Sequence, residues 1–277
     1  MLRNLAVGID TGPGAGVPLR QAVELAVACS ARLHLLHALD EPGRGDDDLL
    51  ESPGDLVLRA LQPSDQPDDD PPSLTIPPDV ERARQLCHEA GVPSRIHLYR
   101  GAPWPWMAWK ALLAQTLMVG RSSLRNSGTA RWGRNLTRLL ESPQTPVWIC
   151  AREVTEMRRA LVLYESSPAG ARALTLTAEV CAGLNLPLTV LAVARRRGVA
   201  AYDLHNVRSM LYAYHLECTF SAAQGDPAAV LLEEALEHHP SLVALPAPPS
   251  RWGGSLLRHP LCRAALQAPD AATLIVP

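Results

Sequence analysis

The stretch MVGRSSLRNSGTARWGRN, residues 118–135, contains residue types that can hold a phosphate group. It leaves an apolar run at Gly120, crosses small polar and basic residues, and reaches another glycine at Gly133. Glycines let a backbone approach a ligand closely, and the N–H groups at the start of a helix favour anions. Lys110 is the single lysine of the chain and no GxxxxGK[ST] sequence occurs, so this is not a P-loop. It is a candidate phosphate-binding loop of another kind.

Other reactive residues are interpreted as structural. His34 and His37 lie three residues apart in an apolar run typical of a strand, so they point to opposite faces and do not ligate one metal. Ser122 and Ser123 have no histidine–acid partner at a suggestive spacing, which leaves nucleophilic catalysis without support. The six cysteines are scattered without a CxxC pair, and we expect them to be reduced and buried.

The aromatic and basic clusters do not indicate nucleic-acid or membrane binding. Trp104, Trp106 and Trp109 fall at a predicted helix start, where packing is favoured over a base-stacking platform. The three arginines of residues 195–197 do not make a nucleic-acid site. No apolar run approaches the roughly 18 residues of a membrane span, and no signal peptide is evident. We therefore expect a cytoplasmic protein with neither nucleic-acid nor membrane partners.

One pattern occurs twice along the chain. An offset of 155 residues pairs Asp10 with Glu165, and both copies later carry the sequence Arg-Trp-Gly. Each copy shows apolar strands alternating with helices and ends in an apolar strand, TPVWIC or ATLIVP. The sequence predicts two domains of one kind, residues 1–152 and 158–277.

The first copy is longer than the second. Asp10 and Gly101 are 91 residues apart, whereas their counterparts Glu165 and Gly225 are 60 apart, so the first copy has about 31 extra residues. The excess coincides with an acidic, proline-rich stretch and predicts an insertion after the second strand.

This acidic insertion covers about residues 40–76. Residues 40–70 hold eleven acids and two arginines. We expect residues 42–76 to be poorly ordered or to form a flap with at most a short helix near Asp48–Leu61. We favour a solvated loop. The alternative, that the segment docks on a basic surface of the same molecule or of a partner, is left open.

The strands indicate an α/β fold. LAVGI, RLHLLHAL and TLMVG are near-continuous apolar runs, which is typical of strands covered by helices on both faces. Strand–helix alternation predicts a doubly wound parallel sheet of five strands in each copy. We expect residues 146–151 and 272–276 to meet across a pseudo-two-fold axis, because each would otherwise be an exposed edge. Asp10 and Gly120 each end a strand, where ligands of such sheets bind.

These motifs together resemble the universal stress protein family. They are Ile9-Asp10 after the first strand, LLHALDE at 35–41, the Gly-x-Pro before the third helix, Gly120 followed by Pro146-Val147, and Gly225-Asp226-Pro227 in the second copy. The resemblance covers both copies and implies a tandem member with two flavodoxin-like (adenine nucleotide alpha hydrolase-like) domains. In such members the halves mimic a dimer that pairs through the last strands.

Members of the family that bind ATP carry G-x2-G-x9-G-[ST] between the fourth strand and the last helix. The corresponding residues here are Gly120, Ser123, Gly133 and Arg134. The spacing is kept, but Ser123 replaces a glycine and Arg134 replaces the hydroxyl residue. Arg134 either pairs with a phosphate or occupies its place, and Asn135 is expected to cap the helix.

The resemblance assigns two further residues to the nucleotide. Asp10 matches the acid near the ribose and adenine, and Ala38 falls where a backbone contact to adenine is made. A turn residue that ends a strand is the alternative interpretation of Asp10. ATP, if it binds, is therefore expected in the N-terminal half.

The second copy lacks the features that bind phosphate. Pro246 stands at the position of Gly120, and Pro248 and Pro249 remove further N–H donors. Glu165 replaces the aspartate. We expect no nucleotide in this copy, which is interpreted as a structural or pairing domain.

The sequence thus predicts a non-enzymatic stress-response protein that senses or scaffolds through nucleotide- or partner-dependent binding. A weak ATP-hydrolysing switch stays open, although no general base or metal-binding carboxylate cluster is visible beyond Asp10. A ligand-free structural interaction module also stays open. The expected partners are an adenine nucleotide and an unidentified protein, and a homodimer in addition to the pseudo-dimer is not decided.

Overall fold

The computed structural model describes residues 2–10, 16–39, 75–100, 103–121, 134–141, 143–154, 156–248, 256–268 and 270–277. The first half of the chain forms the strands β1 (Asn4–Gly8), β2 (Arg32–Leu39), β3 (Ser94–Arg100), β4 (Thr116–Val119) and β5 (Val147–Ile149) and the helices α1 (Gly16–Cys29), α2 (Pro78–Glu89), α3 (Pro103–Lys110) and α4 (Arg134–Leu139). The second half forms β6 (Ala160–Tyr164), β7 (Leu188–Ala194), β8 (Cys218–Gln224), β9 (Leu242–Pro246) and β10 (Ala272–Val276) with α5 (Pro168–Leu184), α6 (Arg197–Leu211), α7 (Pro227–His238) and α8 (Pro260–Gln267). The predictions for the acidic insertion, including the short helix near Asp48–Leu61, fall almost entirely outside the described residues.

The ten strands found among the described residues belong to one sheet. Their order is β3-β2-β1-β4-β5-β10-β9-β6-β7-β8, so each half has the same order when it is read towards the centre. Pairing is parallel within each half and antiparallel between β5 and β10. The predicted doubly wound parallel sheets, joined through their last strands, are confirmed, and their junction makes one continuous sheet.

The registers of the strands are related by a two-fold axis. Leu5 pairs with Leu33 in the first half, and Ala160 pairs with Leu188 in the second, so both strands of the pair are displaced by 155 residues. At the junction Trp148 pairs with Leu274. The paired residues of β4 and β5 differ from those of β9 and β10 by 126 in residue number. Trp148 and Leu274 are therefore equivalent positions, and they are each other's partners. A residue paired with its own counterpart marks the axis, as in an isologous interface.

The lengths of the connections between equivalent strands locate the insertion independently of the sequence repeat. The connection from Leu39 to Ser94 contains 54 residues, and the equivalent connection from Ala194 to Cys218 contains 23. The difference of 31 equals the excess found in the sequence. The extra residues therefore lie between β2 and β3, outside the repeated strands.

The sheet is covered on both faces, which explains its continuous apolar strands. Leu5 and Val7 of β1 belong to a core beneath α1, α2, α5 and α6, whereas Ala6 belongs to a core beneath α3, α4, α7 and α8. Trp148 is 1% exposed at the junction. Each core contains residues of both halves, and burial of a large apolar side chain contributes about 1.5–3 kcal/mol, so both cores hold the halves together.

Candidate functional site

The carboxyl ends of β2, β1 and β4 bring three predicted site residues to one edge of the sheet. Asp10 and Ala38 each lie two residues beyond the last β1–β2 pair. Gly120 lies two residues beyond Met118, the last β4 residue paired with β1. The strand order changes direction between β1 and β4, and ligands of such sheets bind at this point.

Helix α3 packs closely below this edge. A Cβ atom on Gly8 would lie 2.7 Å from Met107 Cε and 3.6 Å from Val119 Cγ1. Met107 is buried, as is Gly120. The absence of a side chain at Gly8 therefore leaves room for the Met107 side chain of α3 at the ends of β1 and β4, on one side of the site.

Two aromatic side chains lie beside Ala38. Tyr99 is the partner of Ala38 in the β2–β3 pairing. The Tyr99 and Trp106 rings are stacked, with centroids 5.2 Å apart and planes inclined by 9°. Trp106 is 5% exposed, and its Nε1 is buried without a hydrogen-bond partner. The expected packing role of this tryptophan is confirmed, and the pair borders the site on the β3 side.

The two histidines of β2 have different partners. His37 is buried, and its Nδ1 lies 2.9 Å from the carbonyl oxygen of Ile9. Because a carbonyl only accepts, Nδ1 carries the proton, and the bond fixes the backbone just before Asp10. His34 Nδ1 lies 3.0 Å from His97 Nε2, and burial lowers the pKa of His34.

The predicted phosphate loop is described only at its ends. Ser123 and Gly133 lie outside the described residues, as do the side chains of Arg134 and Asn135. Helix α4 begins at Arg134, close to the predicted position. Asn135 is the second residue of this helix as bounded, and the cap predicted at its side chain stays a prediction.

Arg121 is a residue that sequence reasoning missed. Its guanidinium donates to the carbonyls of Cys150 (Nε, 3.2 Å), Leu266 (Nη1, 2.9 Å) and Ala271 (Nη2, 2.7 Å). Burial lowers the pKa of Arg121, and the charge of Arg152 lowers it further. The residue after Gly120 is thus attached to the last turn of α8 and to the residue before β10. No local signal could have revealed this, since the second-half partners are distant in sequence.

The corresponding edge of the second half has few backbone donors. Pro246 and Pro248 lack an N–H group, and the Ala247 N–H donates to the Val276 carbonyl at 2.6 Å. The Glu165 carboxylate accepts from Ser167 Oγ at 2.8 Å, which holds it at the start of α5. Residues 246–248 therefore offer no uncommitted N–H to a phosphate.

Neither metal ligation nor thiol reactivity is supported in the described part of the chain. No group of three histidine, cysteine, aspartate or glutamate side chains there could hold a metal ion. All six cysteines are free, and Cys87, Cys150, Cys181 and Cys262 are buried. None of the helices with described coordinates is long and apolar enough to cross a membrane.

A sequence model described as the universal stress protein family matches residues 1–151. The chain therefore belongs to the universal stress protein family. No curated protein sequence matches the chain closely enough to count as a relative.

Solved structures with the same fold cover both halves. A universal stress protein from Archaeoglobus fulgidus DSM 4304 is 14% identical, with 98% of this chain and 97% of that chain covered and a TM-score of 0.72. A functionally unknown protein from Pseudomonas aeruginosa PAO1 is 12% identical, with 99% and 92% covered and a TM-score of 0.66. The cytoplasmic domain of a prokaryotic cation chloride cotransporter is 10% identical, with 100% and 95% covered and a TM-score of 0.54. At these identities the likeness concerns the fold.

Proposed function

We propose that this protein is a cytoplasmic, non-enzymatic stress-response protein that binds one adenine nucleotide in its first half. The observation that carries the proposal is the position of Asp10, Ala38 and Gly120 at the strand-order switch between β1 and β4. The Asp10 carboxylate can accept hydrogen bonds from a ribose, and the backbone at Ala38 can contact the base. Both would lie next to the loop that would hold the phosphates. Nucleotide occupancy would then alter which partner the surface recruits.

The second half is assigned to pairing. We propose two domains, residues 1–152 and 158–277, of which the second has lost its own nucleotide site because Pro246 and Pro248 replace backbone donors. Arg121 supports a retained role for it, since two of the three carbonyls that hold this residue belong to the second half. The second domain would thereby anchor the start of the loop in the first.

Calorimetry with ATP on matched proline variants tests the location of the site. Gly120→Pro introduces the residue found at the equivalent position of the second half and is expected to abolish binding. Pro246→Gly makes the reverse change and should leave binding to the first half unaltered. Asp10→Ala is expected to weaken binding at least tenfold. Unchanged affinity of Gly120→Pro would place the site elsewhere, and no heat with the wild type would favour the ligand-free module.

The role of Arg134 is decided by the sign of its effect. If it pairs with phosphate, Arg134→Ala weakens binding by about 1.5–3 kcal/mol, the scale of a charge-assisted hydrogen bond. If it occupies the place of a phosphate, Arg134→Ser strengthens binding, because it restores the hydroxyl of the family motif. The same calorimetric titration separates the two outcomes.

A further inference from the structure

Strand β8 ends the sheet, and among the described residues only β7 pairs with it. The Leu188 N–H donates to the Glu217 carbonyl at 2.9 Å, and the Gly225 N–H donates to the Ala194 carbonyl at 3.4 Å. Every second residue of a strand bonds to the same neighbour, so the odd-numbered residues from 217 to 225 face β7. Residues 218, 220, 222 and 224 therefore direct their N–H and carbonyl groups to the outer edge.

The outer edge of β8 lacks the usual protection against pairing with another chain. Edge strands of soluble proteins are commonly protected by charged side chains or proline. The β8 sequence CTFSAAQ contains neither. The equivalent strand at the opposite edge, β3, has the sequence SRIHLYR with two arginines, of which Arg95 is exposed. The sheet therefore has one charged edge and one uncharged edge.

Helices hold β8 from both faces. Phe220 and Ala222 pack against one core, and the Arg208 guanidinium of α6 lies 4.6 Å from the centre of the Phe220 ring. On the other face, Ser221 Oγ donates to Glu234 Oε1 of α7 at 2.7 Å. Since both faces are covered, the edge is the part of β8 that a further strand can reach.

The β8 strand is complementary to itself in the antiparallel orientation. With Ser221 on a two-fold axis, Cys218 faces Gln224 of a second copy, and Phe220 faces Ala222. All four outward residues are then matched, and because each such pair exchanges two hydrogen bonds, the four pairs form eight. A large side chain lies opposite a small one, and no charged side chain of β8 meets another. An axis at Phe220 or Ala222 would leave one of the four residues without a partner in the strand.

A junction of this kind already joins the two halves of the molecule. The last strands of the two parallel sheets, β5 and β10, pair antiparallel, and Trp148 faces its own counterpart Leu274. We propose that two copies of this protein associate through β8, antiparallel about a two-fold axis at Ser221, so that their sheets become one. The interface is closed at the dimer because each copy has one β8. This inference does not depend on nucleotide binding.

Glu234 sets the dependence of the dimer on charge. Its carboxylate accepts from Ser221, and the Cα atoms of the two Ser221 residues would lie about 4.5 Å apart, so the two carboxylates lie on the same face and repel. His238 Nε2 lies 3.4 Å from Glu234 Oε2 and offsets part of this repulsion when it is protonated. Glu234→Gln keeps an acceptor for Ser221 and should strengthen association about threefold. Added salt should strengthen the wild-type dimer by screening the two charges.

Analytical ultracentrifugation of the full-length protein tests the association. A reversible equilibrium of monomer and dimer is expected at micromolar concentrations. Ala222→Pro removes an outward N–H at an edge position that tolerates proline, and it should weaken association at least tenfold. Ala222→Ser keeps the N–H and is the matched control, which should associate as the wild type does. Thermal unfolding of both variants checks that they are folded.

Cysteine cross-linking tests the register independently of the proline variant. In Ser221→Cys the two thiols would face each other with Cα atoms about 4.5–5.5 Å apart, which suits a disulfide, so oxidised glutathione should yield a covalent dimer. Thr219→Cys is the matched control, because Thr219 is exposed on the same face but lies opposite Ala223 of the second copy. Its two thiols would be about 14 Å apart along the strands and should stay unlinked. The wild type, with its native Cys218, gives the background.

A wild type that stays monomeric up to millimolar concentration, or equal association of Ala222→Pro and Ala222→Ser, would overturn the proposal. Species that grow beyond the dimer would indicate head-to-tail pairing and would also overturn it. Equal cross-linking of Ser221→Cys and Thr219→Cys, or a Glu234→Gln dimer weaker than the wild type, would overturn the axis at Ser221.

Discussion

At the scale of single residues, Arg121 connects the candidate site with the rest of the molecule. A guanidinium has five N–H donors, and here three backbone carbonyls from two parts of the chain accept from it. Two of these partners lie in the second half. The position of the loop after Gly120 thus depends on residues that a single-domain protein would not have.

We expect Arg121→Ala to lower the free energy of unfolding by about 2–3 kcal/mol, because it leaves partly buried carbonyls without donors. Arg121→Lys should recover part of this loss, since an ammonium group cannot reach all three carbonyls. Urea unfolding measures both. The control is Arg152→Ala, an exposed arginine nearby, which should change stability by less than about 0.5 kcal/mol. Equal effects of the two alanine variants would contradict the assignment.

The buried thiols predict how stability depends on pH. Burial raises the pKa of Cys181 and of Cys262 to about 12. In the unfolded chain a thiol titrates near about 8.5, so the unfolded state loses these protons first and stability falls as pH rises above that value. The urea midpoint should be constant from pH 7 to 8 and fall between pH 9 and 11. In Cys181→Ala the fall should be less steep, and an equal slope would refute the linkage.

At the scale of elements, the sequence was sufficient to predict the sheet and insufficient to predict the structure around the candidate phosphate loop. Strands such as β1 and β2 were predictable because burial on both faces produces continuous apolar runs, and the repeat indicated that both halves have the same succession of elements. The register of the junction and the partners of Arg121 were not predictable, because they join segments that are distant in sequence. The cap predicted at Asn135 stays a prediction, because periodicity locates a helix start such as that of α4 only to within one or two residues.

The start of α5 depends on a close backbone approach. A Cβ atom on Gly170 would lie 2.1 Å from the Glu165 carbonyl oxygen, which no side-chain movement can relieve. Gly170→Ala is therefore expected to cost more than about 3 kcal/mol, although alanine favours helices. Gly198 in α6 has no atom within 4 Å of the corresponding position, so Gly198→Ala should stabilise by up to about 1 kcal/mol. Thermal unfolding compares them, and a neutral Gly170→Ala would show that the turn relaxes.

The acidic insertion should be dispensable for folding. Deleting residues 42–76 leaves three residues between Leu39 and Pro78, and the second half connects Ala194 to Arg197 with two. The shortened connection therefore matches one that the same fold already uses. We expect the deletion variant to unfold cooperatively in calorimetry with a melting temperature close to that of the full chain. Loss of the cooperative transition would mean that the segment belongs to the core.

At the scale of the whole molecule, two halves of equal topology are joined into one sheet but differ at their edges. The first half keeps Asp10 and Gly120 at the switch point, whereas Pro246 and Pro248 remove donors from the equivalent edge of the second. This asymmetry between equivalent positions is the basis for the proposal that the first half binds the nucleotide and the second half serves in pairing.

Native mass spectrometry of the full-length protein with ATP tests the central claim most directly, because it counts the nucleotides on each chain. One bound nucleotide per chain is expected for the wild type, and none is expected for Gly120→Pro. Pro246→Gly should retain one. Two nucleotides on the wild-type chain, or one that persists in Gly120→Pro, would contradict the assignment of the site to the first half.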